Sequence, residues 1–139
     1  MDETIDTLAR TAWAEARGHG LDGMAAVLNV VANRAATPGW WGKTLAGVCK
    51  ARHQFECWSP EVAARNHILT VDLADPDFYD ATMLAKALVR GELRDRTHGA
   101  DHYHADYIPT PKWAKGRRPV YECGPAGSRH LFYRIGLTA

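Results

Sequence analysis

The sequence has 139 residues, of which 46% are hydrophobic and 24% charged, with 17 Lys and Arg against 16 Asp and Glu. This composition is that of an ordinary globular protein and excludes a disordered or fibrous chain and one drawn by its net charge to nucleic acid. We therefore predict a single domain over residues 1–139 that binds no nucleic acid. No segment reaches the roughly 18 apolar residues of a membrane span, so no membrane insertion is expected.

Hydrophobic periodicity predicts four helices in the first two-thirds of the chain. The first carries an apolar stripe and ends at two glycines, Gly18 and Gly20. The second lies in LDGMAAVLNVVANRA, and its broad stripe indicates a central helix. The third runs from Ser59-Pro60 to about Ile68 and the fourth from Asp75-Pro76 to Gly91, since a capping residue before proline opens a helix. The residues of the second stripe are Leu21, Met24, Val27, Leu28, Val31 and Ala35.

The C-terminal third has a different character from about Thr97 onward. The helical period stops, and histidine, aromatic and proline residues become frequent. Short extended pieces are predicted at residues 102–107, 119–123 and 130–135. The fold class is therefore α+β, mainly α, with a small loop and strand lobe. We assign Phe132 to the core of this lobe, whereas Tyr103 and Trp113 are assigned to a binding surface.

The three cysteines are odd in number and lack the spacing of a metal site. Buried free thiols are expected at Cys49, Cys57 and Cys123. The alternative is one disulfide between the nearest pair, Cys49 and Cys57.

Glu15 is the candidate catalytic residue of the first helix, in LARTAWAEARGHG. At about 100° per residue it lies about 20° from Leu8, so its carboxylate is expected to be at least half buried at the edge of the stripe. Arg10 and Arg17 project elsewhere, and the last turn carries the negative end of the helix dipole. These features disfavour ionisation and predict a raised pKa, as a general acid near neutral pH requires. A solvated flank or a tertiary ion pair is the alternative interpretation.

Four segments of the chain carry a family resemblance. In order they are LARTAWAEARGHGLDGMAAVLNVVANR, HQFECW, GADHYHADYIPTPKWA and SRHLFYR, and together they span residues 8–134. They resemble the SleB-type cell wall hydrolases, a group of spore-cortex-lytic and phage-borne enzymes. The chain departs from the family pattern at Glu56, where serine is common, and at Asp101, where threonine is common.

The resemblance implies a lysozyme-like (lytic transglycosylase-like) domain whose cleft accepts the glycan strand of peptidoglycan. We expect no metal, no cofactor and a monomer. The family's catalytic glutamate, in its Ala-Glu-Ala-Arg motif, corresponds to Glu15. The substrate-binding positions implied along the cleft are Gln54, Phe55, Trp58, His102, Tyr103, His104, Trp113 and Tyr133.

The reaction that the resemblance favours is lytic transglycosylation. Glu15 would protonate the oxygen of the β-1,4 bond between MurNAc and GlcNAc and would then accept the proton of the C6 hydroxyl that attacks C1. The product is a 1,6-anhydro sugar. The alternative is hydrolysis by a lysozyme-type muramidase, which normally needs a second acid. Asp22, Asp101 and Asp106 are the candidates for that role.

Peptide-cleaving reactions are a separate class of alternative. His102, His104 and Asp106 alternate in DHYHAD and would share one strand face, as zinc ligands of a wall peptidase or amidase do. A cysteine peptidase would pair Cys57 with His104 or His130. The neighbours of Cys57 in sequence, an acid and a tryptophan, do not favour a thiolate.

A non-catalytic glycan-binding or phage structural module would keep the aromatic residues and dispense with Glu15. The N-terminal segment MDETIDTLAR lacks the basic and apolar regions of a secretory signal. We therefore expect synthesis in the cytoplasm and access to the wall after lysis, export or delivery by a phage-like particle. Components of such a particle are then potential partners.

Overall fold

The computed structural model describes residues 1–52 and 54–136, so that His53 of the HQFECW segment lies outside the described residues. In these residues five helices precede a small sheet: α1 (Glu3–Ala16), α2 (Gly20–Ala36), α3 (Leu45–Lys50), α4 (Pro60–Asn66) and α5 (Pro76–Val89). The strands are β1 (His102–Ala105), β2 (Tyr121–Cys123) and β3 (His130–Tyr133), and short 3₁₀ turns lie at Arg17–His19, Glu56–Trp58 and Lys112–Ala114. The predicted α+β, mainly helical architecture is confirmed.

Aspartate caps fix the starts of two packed helices. The Asp2 carboxylate accepts hydrogen bonds from the amides of Thr4 and Ile5 at the start of α1. The Asp75 carboxylate accepts from two amides of the first turn of α5, at 2.9 and 3.0 Å, and from the indole N–H of Trp13 in α1 at 3.3 Å. Asp75 therefore accepts hydrogen bonds from N–H groups at the start of α5 that have no partner within the helix, and it also links α5 to α1.

Helix α2 is the central element of the fold because two hydrophobic clusters use its opposite faces. Every residue from Gly23 to Val31 is buried. One face joins α1 and α5 in the larger cluster, and the other packs against the sheet. The smaller cluster consists of Ala26, Val30, Ala100, Cys123 and Phe132. Tyr103 of β1 packs against both clusters, which places it at the junction of the helical part and the sheet.

The sheet is antiparallel, with β3 between β1 and β2. Tyr103 faces Phe132 across the β1–β3 pair, and His102 faces Tyr133. Because successive side chains of a strand point to opposite faces, Tyr103 lies on one face of β1 and His102 and His104 lie on the other. Phe132 is fully buried, which confirms its assignment to the core.

Three details differ from the sequence prediction. Leu21 is 54% exposed, because it lies in the first turn of α2 before that helix enters the core at Gly23. Helix α4 ends at Asn66 instead of about Ile68, since His67 adopts a left-handed backbone conformation with φ 62°. Helix α3 was not predicted, because six residues are too few to show a helical period.

None of the helices in the described ranges combines the length and the apolar character that crossing a membrane requires.

The cap on α5 gives a stability prediction. Replacing Asp75 by Ala removes the acceptor for both amides and for the Trp13 indole, and we expect the free energy of unfolding to fall by about 1–2 kcal/mol. Urea denaturation followed by circular dichroism measures this change. Asp75→Asn keeps an acceptor oxygen and is expected to lose less. Equal losses in the two variants would contradict the capping role.

Candidate active site

Glu15 is held by donors from two other elements. It lies in the last turn of α1, partly buried, with its carboxylate directed at β1 and at the turn Glu56–Trp58. The Tyr103 hydroxyl donates a hydrogen bond to Glu15 Oε1. The thiol of Cys57 makes a second hydrogen bond to the same carboxylate. The side chain is therefore fixed in one orientation by residues 42 and 88 positions away in the sequence.

Burial raises the pKa of Glu15 above its ordinary value. The hydrogen bonds from Tyr103 and Cys57 oppose this shift, and the negative charge of Glu56 adds to it. The two arginines nearest to Glu15 in the sequence do not neutralise the carboxylate. Arg17 stacks on the Trp13 ring with its guanidinium carbon 4.0 Å from the ring centre, and Arg10 pairs with Asp6. The burial and the raised pKa that the helix position predicts are both found.

Tyr103 remains a hydrogen-bond donor over the whole physiological range. Burial raises the pKa of Tyr103 well above its usual value, and the Glu15 carboxylate beside it raises it further. The ring stacks on Phe132, with the centroids 5.2 Å apart and an interplanar angle of 27°. It also lies 6.4 Å from the Phe55 ring and 5.2 Å from the His130 ring. The phenol therefore stands in an apolar wall with its hydroxyl aimed at Glu15.

Arg34 is a buried cation that the sequence analysis missed. Its Nε donates to the Asp101 carbonyl at 2.7 Å, and one terminal nitrogen donates to Gln54 Oε1 at 3.4 Å. Its guanidinium lies 5.4 Å from the centre of the Phe55 ring. The sequence does contain a pattern that indicates burial of Arg34, because this residue follows Val31 by three positions and so continues the buried stripe of α2. Arg34 joins α2 to the segment before β1 and to the Gln54 segment.

The residues Gln54, Phe55 and Trp58 lie on the segment between α3 and α4. Gln54 is partly buried against Arg34, and Phe55 is 5% exposed. The indole N–H of Trp58 donates to the Thr11 hydroxyl at 2.9 Å. Phe55 and Trp58 line an open cavity of about 680 Å³. The turn Glu56–Trp58 therefore contacts Glu15 through Cys57 and borders this cavity at the same time.

His102 and His104 do not join Glu15, because they lie on the face of β1 opposite to Tyr103. His102 Nδ1 donates to Asp101 Oδ1 at 2.8 Å. His104 Nδ1 donates to the Ala105 carbonyl at 2.9 Å, and its Nε2 accepts from the Tyr133 hydroxyl at 3.0 Å. Both histidines and Tyr133 are less than 10% exposed. They form a packed aromatic cluster instead of an open cleft wall.

Trp113 is the partly exposed member of this cluster. Its ring centre lies 4.9 Å from that of His102, 5.6 Å from that of His104 and 5.4 Å from that of Tyr133. The three buried rings fix the orientation of the indole. The cluster therefore presents the Trp113 indole towards solvent.

The candidates for a second acid are each engaged elsewhere. Asp22 pairs with Arg96, and Asp106 accepts from the amides of Gly127 and Arg129 at 3.0 and 3.1 Å. Burial alone would raise the pKa of Asp101, but hydrogen bonds from His102 and from two backbone amides lower it. The Asp101 carboxylate thus holds the segment after β3, through the amides of Ile135 and Gly136. The acid whose charge acts on Glu15 is Glu56, which the sequence analysis did not select for this role.

The predicted alternation of His102, His104 and Asp106 is found in part, since both histidines share a face of β1. Each of the three side chains has its own hydrogen-bond partner. Over residues 1–52 and 54–136, no three His, Cys, Asp or Glu side chains are grouped as metal ligands.

The three cysteines are free and buried, which confirms the prediction of unpaired thiols. Burial raises the pKa of Cys57 far above its ordinary value, and the Glu15 carboxylate raises it further. Burial likewise raises the pKa of Cys49 to about 11. Cys57 is therefore a protonated donor to Glu15, which is the opposite of what a thiolate nucleophile requires.

The Tyr103 hydrogen bond gives a prediction for Glu15. Tyr103→Phe keeps the partly buried ring but removes the donor that favours the ionised carboxylate, so the pKa of Glu15 should rise further. A carbon-13 NMR titration of the glutamate carboxyl groups measures it. The control is Tyr121→Phe, because Tyr121 packs on the same Phe132 ring from β2. An unchanged Glu15 titration in Tyr103→Phe would contradict the prediction.

Comparisons with known proteins identify the fold and the family. The chain is similar to the catalytic domain of the germination-specific lytic transglycosylase SleB from Bacillus anthracis, at 24% identity over 96% of this chain and 97% of that chain, with a TM-score of 0.70. It is also similar to the catalytic domain of the Bacillus cereus SleB protein, at 24% identity over 94% of this chain and 89% of that chain, with the same TM-score. No curated protein matches the chain. These likenesses establish the lysozyme-like fold.

The family model for cell wall hydrolases, Hydrolase_2, matches residues 18–133. The match begins three residues after Glu15, so it covers the Gln54 segment and the sheet but not the candidate acid itself. It spans most of the chain, and the protein belongs to the Hydrolase_2 family of cell wall hydrolases.

Proposed function

We propose that this cell wall hydrolase cleaves the β-1,4 bond between MurNAc and GlcNAc in peptidoglycan as a lytic transglycosylase, with Glu15 as its single acid and base. The observation that carries the proposal is the environment of Glu15: a partly buried carboxyl with a raised pKa, held by Tyr103 and Cys57. The name of the similar Bacillus anthracis domain, a lytic transglycosylase, points to the same reaction.

The first step needs a proton at the bond that breaks. Glu15 donates its proton to the glycosidic oxygen, the bond from C1 of MurNAc to that oxygen breaks, and positive charge develops on the sugar ring. A raised pKa keeps Glu15 protonated closer to neutral pH, so more of the enzyme is ready for this step.

The second step returns the proton to Glu15. The C6 hydroxyl of the same MurNAc attacks C1 and transfers its proton to the Glu15 carboxylate, which leaves a 1,6-anhydro ring and restores the acid. No water is consumed. Tyr103 and Cys57 hydrogen-bond the carboxylate between the two steps, and neither gives up its own proton, because burial raises the pKa of both groups.

The glycan contacts divide between two regions. Trp58 and Gln54 lie on the segment beside Glu15, and Trp113 is a partly exposed aromatic residue of the sheet lobe. Flat aromatic faces suit sugar rings. His102 and His104 are buried behind Trp113, so we assign them, together with Tyr133, to holding that indole in place instead of touching the sugars.

The proposal predicts that Glu15→Gln abolishes lysis. The amide cannot supply a proton, and general acid catalysis contributes roughly 10²–10⁴-fold, so the rate should fall by about 10³-fold. Loss of turbidity of purified peptidoglycan measures this. Glu3→Gln, with the same chemical change at an exposed position of the same helix, should lyse like the unaltered protein. Lysis by a folded Glu15→Gln variant at the rate of the Glu3→Gln control would overturn the proposal.

A further inference from the structure

A histidine ring packs beside Tyr103, on the face of the sheet that carries the donor to Glu15. His130 begins β3, and its side chain lies on the same face as Phe132, two residues further along the strand. Because Phe132 is the cross-strand partner of Tyr103, His130 is the diagonal neighbour of Tyr103. The centres of the His130 and Tyr103 rings are 5.2 Å apart, with an interplanar angle of 41°. The phenol therefore has an imidazole in direct contact with it.

His19 packs against His130 in turn. The two ring centres are 4.3 Å apart, in an edge-to-face arrangement with an interplanar angle of 67°. His19 ends the 3₁₀ turn after α1 and follows Glu15 by four residues. The contacts therefore form a closed path, from Glu15 through Tyr103, His130 and His19 back to the segment that carries Glu15.

The loop between β2 and β3 fixes the position of His19. The Nε2 atom of His19 lies 2.5 Å from the Ser128 carbonyl oxygen, and it donates this hydrogen bond because a carbonyl can only accept. Gly124 begins the same loop with φ 100°. A Cβ atom at Gly124 would lie 2.9 Å from His19 Nε2 and 3.0 Å from the Ser128 carbonyl oxygen. Glycine at this position therefore leaves the space that the His19 ring occupies.

His130 acts on Tyr103 by packing and not by charge. The Nδ1 atoms of His19 and His130 are both buried, and neither has a hydrogen-bond partner within residues 1–52 and 54–136. Burial lowers the pKa of His130 to about 4, and the neighbouring His19 contributes to this shift. The His130 ring is therefore uncharged near neutral pH.

We propose that His130, supported by His19, is a positioning residue that holds the Tyr103 ring where its hydroxyl reaches Glu15. Stacking on Phe132 alone would leave the phenol free to slide, and the contact with His130 restricts this movement. The inference rests on the proposed role of Glu15 as the acid. It adds a residue of β3 that influences the reaction only through Tyr103.

The test combines kinetics on purified peptidoglycan with a carbon-13 titration of Glu15. In His130→Ala the phenol loses its lateral support, so kcat should fall by roughly 10-fold while KM changes little. The pKa of Glu15 should rise, as in Tyr103→Phe, because the donor to the carboxylate is less well aligned. His130→Phe restores a flat ring and should recover most of the rate.

A double-mutant cycle separates positioning of Tyr103 from a general loss of packing. When Tyr103→Phe is already present, His130→Ala should lower kcat by less than about twofold, because the hydroxyl that His130 aligns is absent. A loss as large as that of His130→Ala alone would overturn the inference. The matched control is Leu131→Ala, at the next residue of β3, which is partly exposed and on the opposite face. The titration of Glu15 in this control should match that of the unaltered protein.

Two further outcomes bear on the inference. A rise in KM at unchanged kcat, with an unchanged Glu15 titration, would overturn it, because His130 would then contact the glycan itself. If His130→Ala does not fold, His19→Ala removes the supporting ring from a partly exposed position and should raise the pKa of Glu15. An unchanged titration in His19→Ala would then contradict the inference. The titrations need no substrate, so they remain decisive even if Glu15→Gln lyses peptidoglycan and the proposed function fails.

Discussion

The hydrogen bond between the Glu15 carboxyl and the Tyr103 hydroxyl is the interaction on which the rest of the site depends. It joins the end of α1 to the middle of β1, and it is possible only where the helical part and the sheet meet. The carboxyl needs burial to keep its proton, and a buried polar group needs partners to be tolerated at all. Tyr103 and Cys57 meet the second need without removing the first, because both stay neutral.

The packing of α2 and the contacts of Arg34 explain why Glu15 and its two donors stay in place. Helix α2 is buried on both sides, so it holds the helical cluster and the sheet at a fixed separation. Arg34, near its C-terminal end, bonds the residue before β1 and the segment that leads to the turn Glu56–Trp58. One buried cation therefore aligns both elements that supply donors to Glu15. Because these elements are already fixed, the side chains of the site lose little orientational freedom when the substrate binds.

The sequence predicted the helices and the setting of Glu15 because both follow from a period of 3.6 residues on one helix. It could not place Arg34 or the turn Glu56–Trp58 in the site, since their relation to Glu15 depends on how α1, α2 and the segment between α3 and α4 pack together. The strand period did put His102 and His104 on a shared face. What it could not show is that Tyr103 alone turns towards Glu15, because the choice of face is decided by packing against α2 and not by alternation itself.

Membership of the cell wall hydrolase family and the lysozyme-like fold are established, and the chemistry at Glu15 is the central claim. The most direct test is mass spectrometry of the muropeptides that the protein releases in water labelled with heavy oxygen. The account predicts MurNAc ends that are lighter than reducing ends by one water and carry no label. Reducing ends that contain the label would contradict it, because water, and not the C6 hydroxyl, would then have attacked C1.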